Sequence, residues 1–122
     1  MKYDDIKDMI IEYAGFHDCI VEKILIENSK KQIELQFEDL NQCLCNASAT
    51  ILAARLIFKE VTDFYLSVFS SGLIAIYGME FFVDSQGIRF EIEWSTDKFK
   101  IRYGKPYEKW VIVCKDVKLD MV

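Results

Sequence analysis

Apolar residues near the start of the chain recur at the spacing of one face of a helix. The recurring residues are Ile6, Met9, Ile10 and Tyr13. This i, i+3, i+4, i+7 pattern predicts an amphipathic helix. Asp4 and Asp5 supply capping oxygens and negative charge at its start. Gly15 stands where a helix C-terminal cap is expected.

After Asp18 the apolar period changes to two, which is typical of strands. Residues 19–28 predict one strand, a turn follows at Asn28–Lys30, and residues 31–39 predict a second strand. The residues expected to face inward are Ile20, Ile24 and Ile26 in the first strand and Ile33, Leu35 and Phe37 in the second. Because polar residues alternate with them in the second strand, the pattern predicts an antiparallel hairpin with one solvated face.

The segment Ile51–Phe58 fits either a strand or a helix. We favour a strand, because β-branched and aromatic residues frame the segment and its neighbours are strands. Residues 62–72 predict a turn or a short helical piece. Alternating strands flank Ser85–Gly87, a turn with glycine where a positive φ is easiest. Further strands are predicted at residues 99–103 and 110–119.

These elements predict a single α+β domain covering residues 1–122. The expected architecture is an N-terminal helix packed on a strongly twisted, mostly antiparallel sheet of about six to seven strands, which could fold over as a partial barrel. A chain of this length buries enough surface to form a core without disulfides. An exposed terminal strand at Trp110–Val117 could pair with its own copy, so a homodimer formed by strand-edge pairing is one expectation.

The formal net charge of −5 narrows the range of partners. An acidic chain repels phosphate backbones, so nucleic-acid binding is disfavoured. The apolar runs are too short to cross a membrane, and residues 1–15 do not resemble a signal peptide. We therefore expect a cytoplasmic protein with reduced cysteines and no membrane contact.

The only histidine, His17, directly precedes Asp18. Metal-dependent phosphohydrolases contain adjacent His and Asp, but they need several imidazoles around their metal ions, so this class is excluded. Cys19 would share a face with His17 in an extended strand, yet no glycine-rich oxyanion loop accompanies the two. Cys43 and Cys45 form at most half of a zinc site. We expect no catalytic residue, no metal, no cofactor and no enzymatic activity.

Two groups of residues are candidates for other roles. His17 and Asp18 lie at the predicted helix-to-strand junction, where Asp18 can bind open backbone N–H groups of the turn. A fastening role explains this pair without catalysis, and contact with a ligand or partner is the alternative. The second group consists of carboxylates on outward strand faces, which are either solvated or a docking surface for a basic partner. Its members are Glu34, Glu38, Glu91 and Glu93.

The motif Phe16-His17-Asp18 and the hairpin after it, FHDCIVEKILIENSKKQIELQFED, resemble the N-terminal signature of small bacterial domains. Some of these families are uncharacterised, and others resemble immunity proteins that neutralise toxins used between bacteria. The resemblance implies tight binding of a toxin without chemistry by the immunity protein. It also implies that Phe16, His17 and Asp18 form a motif, for which we expect a structural role.

The sequence therefore favours a non-enzymatic protein-binding module, an immunity protein whose partner is a basic toxin. Acidic strand faces would speed its association with such a toxin. The alternative is a small regulatory or ligand-binding domain that encloses an apolar metabolite between sheet and helix. The aromatic residues that could line such a pocket are Phe90, Trp94, Tyr103, Tyr107 and Trp110.

Overall fold

The computed structural model describes residues 2–42, 50–67, 74–95 and 108–122. Within these ranges the chain forms one α-helix, α1 (Tyr3–Glu12), and eight strands. The strands are β1 (Ile20–Glu27), β2 (Gln32–Phe37), β3 (Ala54–Lys59), β4 (Asp63–Tyr65), β5 (Ile74–Asp84), β6 (Gly87–Ser95), β7 (Glu108–Cys114) and β8 (Asp116–Met121). They form one antiparallel sheet in the order β4-β7-β6-β5-β1-β2-β3-β8, which is not closed.

The N-terminal helix packs on this sheet through the apolar face that the sequence predicted. Ile6 and Met9 are buried, and Asp4 and Asp5 lie in the first turn. The ring of Tyr3 lies 5.1 Å from the ring of Phe81 on β5. The predicted α+β class, with one helix on an antiparallel sheet, is therefore confirmed. No helix in the described ranges is long and apolar enough to span a membrane.

The predicted strand count of six to seven is wrong, because the described ranges contain eight strands. The segment predicted as a turn or helical piece contains β4, which pairs with β7 through three exposed residues and so has no burial alternation. The segment predicted as one strand at residues 110–119 is divided at Lys115 into β7 and β8. β7 pairs with β6 while β8 pairs with β3. The predicted strand at residues 99–103 lies outside the described residues.

The interpretation of Ile51–Phe58 as a strand is confirmed, although β3 begins only at Ala54. The expectation of a free edge at Trp110–Val117 needs correction. Its greater part is β7, which lies inside the sheet between β4 and β6. The terminal strand at the sheet edge is β8.

The inward face of β1 differs from the predicted one because of a β-bulge. The β1–β2 register shifts between Val21 and Lys23. Val21 pairs with Phe37 and is buried, so it takes the inward place that we predicted for Ile20. One extra residue in a strand inverts the alternation beyond it, and an uninterrupted period of two does not reveal this.

The sheet curls until its two halves enclose one core. The rings of Phe58 on β3 and Phe90 on β6 meet edge-on with centroids 5.0 Å apart, although four steps of the strand order separate their strands. In the middle of the sheet, β1 and β5 are joined by only two residue pairs. We call this junction the β1–β5 seam. The two halves are therefore held together mainly by packing in the core and by any further contacts across this seam.

A glycine substitution tests the packing of the β5–β6 turn. Gly87 has a φ of +131°, and a Cβ there would lie 2.5 Å from the carbonyl oxygen of Cys114. We expect Gly87→Ala to lower the free energy of unfolding by about 1–3 kcal/mol. Gly78 is the control, because a Cβ there meets no atom within 4 Å. In denaturant unfolding, the free energy of unfolding of Gly78→Ala should lie within about 0.5 kcal/mol of the parent value. An equal decrease in both variants would show that the close approach of Gly87 to Cys114 does not limit the residue at position 87.

Candidate functional site

The chain between α1 and β1 forms a left-handed turn, which we define as residues 14–18. Ala14, Gly15 and Phe16 have φ values of +50°, +65° and +59°, and Asp18 has +66°. Only glycine adopts this conformation without strain. For any other residue, the conformation costs about 1–2 kcal/mol of free energy. Such backbone persists only where the surrounding structure holds it.

Backbone hydrogen bonds to β5 hold the left-handed turn in place. The Asp18 N–H donates to the carbonyl of Ile76 at 2.8 Å, and the Ile76 N–H donates to the carbonyl of Cys19 at 2.9 Å. Phe16 is fully buried, with its ring 5.2 Å from Phe37 on β2. The turn therefore reinforces the β1–β5 seam and connects β5 with the aromatic core.

The side chains of His17 and Asp18 point away from these anchors. They are 48% and 42% exposed, and His17 Nδ1 lies 3.2 Å from Asp18 Oδ2. The His17 ring also meets the ring of Tyr77 edge-on, with centroids 5.4 Å apart. The main chain of the motif thus fastens the fold, while its imidazole and carboxylate lie next to each other and are half-exposed to solvent.

A groove of about 220 Å³ lies beside this pair and shares Tyr77 with it. We call it the acidic groove, and its lining includes Gly15, Tyr77, Glu80, Glu91, Glu93 and Lys109. Three carboxylates face one ammonium group among these residues. Glu80 lies directly opposite Glu91 in the β5–β6 register, and opposed like charges destabilise a sheet unless a counter-charge intervenes.

Lys109 and Arg89 supply that counter-charge to Glu91. Lys109 Nζ donates to Glu91 Oε1 at 3.0 Å, and Arg89 Nε donates to Glu91 Oε2 at 3.1 Å. The hydrogen bond from Lys109, followed by that from Arg89, holds the pKa of Glu91 below its usual value. The bond to Glu91 raises the pKa of Lys109, and the charges of Glu93 and Glu80 raise it further. Glu91 is therefore ionised at neutral pH and is unsuited to act as a general acid.

The four carboxylates that we predicted as a partner surface do not come together. Glu91 and Glu93 line the acidic groove on β6. Glu34 and Glu38 belong to β2 and its end, three strands away in the sheet order. Glu34 is only 8% exposed, since Gln36 donates to it at 2.7 Å and Arg55 lies 3.8 Å away.

The structure separates the imidazole from the thiol that follows it. Cys19 is fully buried whereas His17 is half-exposed, because the positive φ of Asp18 interrupts the extended backbone that would have put both on one face. Burial raises the pKa of Cys114 to about 12. No group of three His, Cys, Asp or Glu residues in the described ranges is arranged to hold a metal ion. Cys43 and Cys45 lie outside those ranges.

The aromatic residues considered for a ligand pocket contribute to the core where they are described. Phe90, Trp94 and Trp110 are buried, and the two indole rings lie 5.0 Å apart. Tyr103 and Tyr107 lie outside the described residues. The ligand-binding alternative therefore has no support from the three described side chains.

Sequence reasoning missed Tyr77 and Lys109 as members of the site. The β5–β6 register shifts between Ile76 and Gly78, which puts Tyr77 at an irregularity of the strand. A glycine inside a strand pattern often marks such a bulge, so Gly78 could have indicated the irregularity at Tyr77. Lys109 joins the site because β7 pairs it with Glu93 across the strands and brings its ammonium group to Glu91.

Comparison with models of protein families and a search of curated proteins both give no match to this chain.

Two substitutions within the motif separate its anchoring role from its exposed chemistry. Phe16→Ala removes a buried ring and should lower the free energy of unfolding by about 3–5 kcal/mol. His17→Ala removes a half-exposed ring and leaves the backbone bonds intact, so it should change that free energy by no more than about 1 kcal/mol. Thermal or denaturant unfolding measures both. If His17→Ala lowered the free energy of unfolding as much as Phe16→Ala, the His17 side chain would be part of the anchor, which would contradict the separation of the two roles.

Proposed function

We propose that this chain is a non-enzymatic protein-binding module that contacts its partner through the acidic groove and the adjoining His17 side chain. We further propose that it acts as an immunity protein and neutralises a basic bacterial toxin. The observation that carries the proposal is an exposed imidazole–carboxylate pair, held on a strained turn, beside a groove with three carboxylates.

The chemistry of the groove favours binding over catalysis. Glu91 is committed to two charge-assisted hydrogen bonds, and its lowered pKa keeps it deprotonated. Asp18 engages Nδ1 of His17, so a partner would meet the ring through Nε2. Glu80 and Glu93 share Lys109 with Glu91, which leaves net negative charge for a cationic partner.

The rigidity of the site supports tight binding. A contact group that is already ordered loses little conformational entropy on association, so more of its interaction energy contributes to affinity. The anchored main chain of His17 and Asp18 gives them this property. Tyr77 adds an amphipathic ring, a residue type that often dominates interface energies.

Charge in the groove would also set the rate of association. An acidic surface attracts a basic partner over a distance comparable to the Debye length, so the association rate should fall as salt increases. The resemblance of Phe16-His17-Asp18 and its hairpin to toxin-immunity families supports the identity of such a partner. In this proposal the chain acts in the cytoplasm, where its thiols stay reduced.

Charge reversal in the groove tests the proposal. The tagged parent should capture one basic protein from a lysate of the source organism, and that protein expressed alone should be toxic to a bacterial host and harmless when the chain is co-expressed. The double variant Glu80→Lys/Glu93→Lys should reduce the association rate with the purified partner at least about tenfold at low salt, because like charges then face each other.

The matched control is Glu27→Lys/Glu60→Lys, which makes the same change in net charge at two exposed residues that do not line the acidic groove. This control should retain most of the parent association rate. Capture of no protein partner, or an equal loss of rate in both double variants, would overturn the proposed surface.

A further inference from the structure

The terminal strand β8 carries an interaction surface distinct from the acidic groove. β8 is the last strand in the sheet order and pairs on one side with β3. In the described ranges no strand pairs with its other side. An edge of this kind presents backbone N–H and C=O groups that can bind another strand.

The β3–β8 register identifies the residues whose backbone N–H and C=O groups point to the free edge. The Val122 N–H donates to the carbonyl of Ala53 at 3.0 Å, in line with the pairing of Met121 with Ala54. Alternate residues of an antiparallel strand direct both backbone groups to the same neighbour. Lys118 and Asp120 therefore direct their backbone groups to β3, whereas at the start of β8 the Lys115 N–H donates to the Lys59 carbonyl at 3.2 Å. The outward residues, whose backbone groups point to the free edge, are Val117, Leu119 and Met121. Of these groups, the Val117 N–H already donates to Asp116 Oδ1 at 2.9 Å.

We propose that β8 pairs with β8 of a second copy of this chain, antiparallel and centred on Leu119. Outward residues can bond only to outward residues, so Leu119 faces its own copy and Val117 faces Met121. This pairing forms four backbone hydrogen bonds, two between the Leu119 residues and one from each Met121 N–H to the Val117 carbonyl of the other chain. The Val117 N–H of each chain is already bonded to its own Asp116. It also places Lys118 of each chain opposite Asp120 of the other.

Charge selects this register over its neighbours. A shift by two residues in one direction places Lys118 opposite Lys118, and a shift in the other direction places Asp120 opposite Asp120. Like charges directly opposite each other destabilise strand pairs, whereas opposite charges stabilise them. The edge is therefore self-complementary in one register, and this property favours a second copy over an unrelated strand.

The side chains already present on both faces of β8 fit this pairing. On one face, Asp120 lies 3.7 Å from Arg55 and 3.1 Å from Lys118 of its own strand. In the dimer, the Lys118–Asp120 pairs of the two chains would lie side by side and form one network of alternating charges. On the other face, Met121 is exposed while Val117 is buried in the core. The copy would therefore cover Met121 mainly with the backbone of its own β8. Because the strand has six residues, the interface is small and the dimer is expected to be weak.

Sedimentation equilibrium of the intact chain tests the proposal from about 10 μM to about 1 mM, the range suited to small interfaces. The parent mass should rise with concentration toward twice the 14.3 kDa of one chain. Lys118→Asp and Asp120→Lys should each remain monomeric throughout, because each variant opposes like charges at both cross-strand pairs.

A 1:1 mixture of the two variants should recover dimerisation, because two acidic positions of one chain then face two basic positions of the other. Lys23→Asp is the control, since Lys23 is exposed on the interior strand β1, and it should associate like the parent. Circular dichroism checks that every variant is folded.

Three results would overturn the proposal. The first is a parent mass that stays at 14.3 kDa throughout. The second is a Lys118→Asp variant that associates like the parent. The third is a mixture of folded variants that fails to dimerise. None of these outcomes bears on the acidic groove, because the proposed dimer uses a different strand.

Discussion

Two backbone hydrogen bonds at the β1–β5 seam support both the fold and the candidate site. They join Asp18 to Ile76 and Ile76 to Cys19 at a place where β1 and β5 share only two residue pairs. Without them, the two halves of the sheet would be joined there only by these two residue pairs and by core packing. The strained turn is the local consequence, since its left-handed backbone brings the Asp18 amide to β5.

The same constraint explains why the motif can serve structure and binding together. The fold uses the backbone of His17-Asp18 and the ring of Phe16, and the exposed side chains are left for other contacts. A partner contact at His17 would therefore need no change in the fold and would start from an ordered surface. The acidic groove adds charge next to that contact, since Tyr77 belongs to both features.

Local pattern was sufficient to predict the helix and the first hairpin, because each has a clear period. Burial of Ile33, Leu35 and Phe37 agrees with that prediction. The bulge after Val21 and the exposed strand β4 were missed because neither leaves a periodic signal. For the site, the outward faces of Glu91 and Glu93 were predictable, but their closeness to Tyr77 depends on a register shift in β5. The positive φ of Ala14 and Phe16 could not be predicted, because neither residue type favours that conformation.

The central claim is that the left-handed turn is a fixed part of the sheet. Amide hydrogen exchange of Asp18 and Ile76, followed by NMR, tests it most directly, because both N–H groups form the seam bonds. The account predicts that both amides are protected as strongly as the core amides of β2, and that they exchange only on global or near-global unfolding. Exchange at the rate of exposed loop amides would contradict it, and His17 would then belong to a mobile loop.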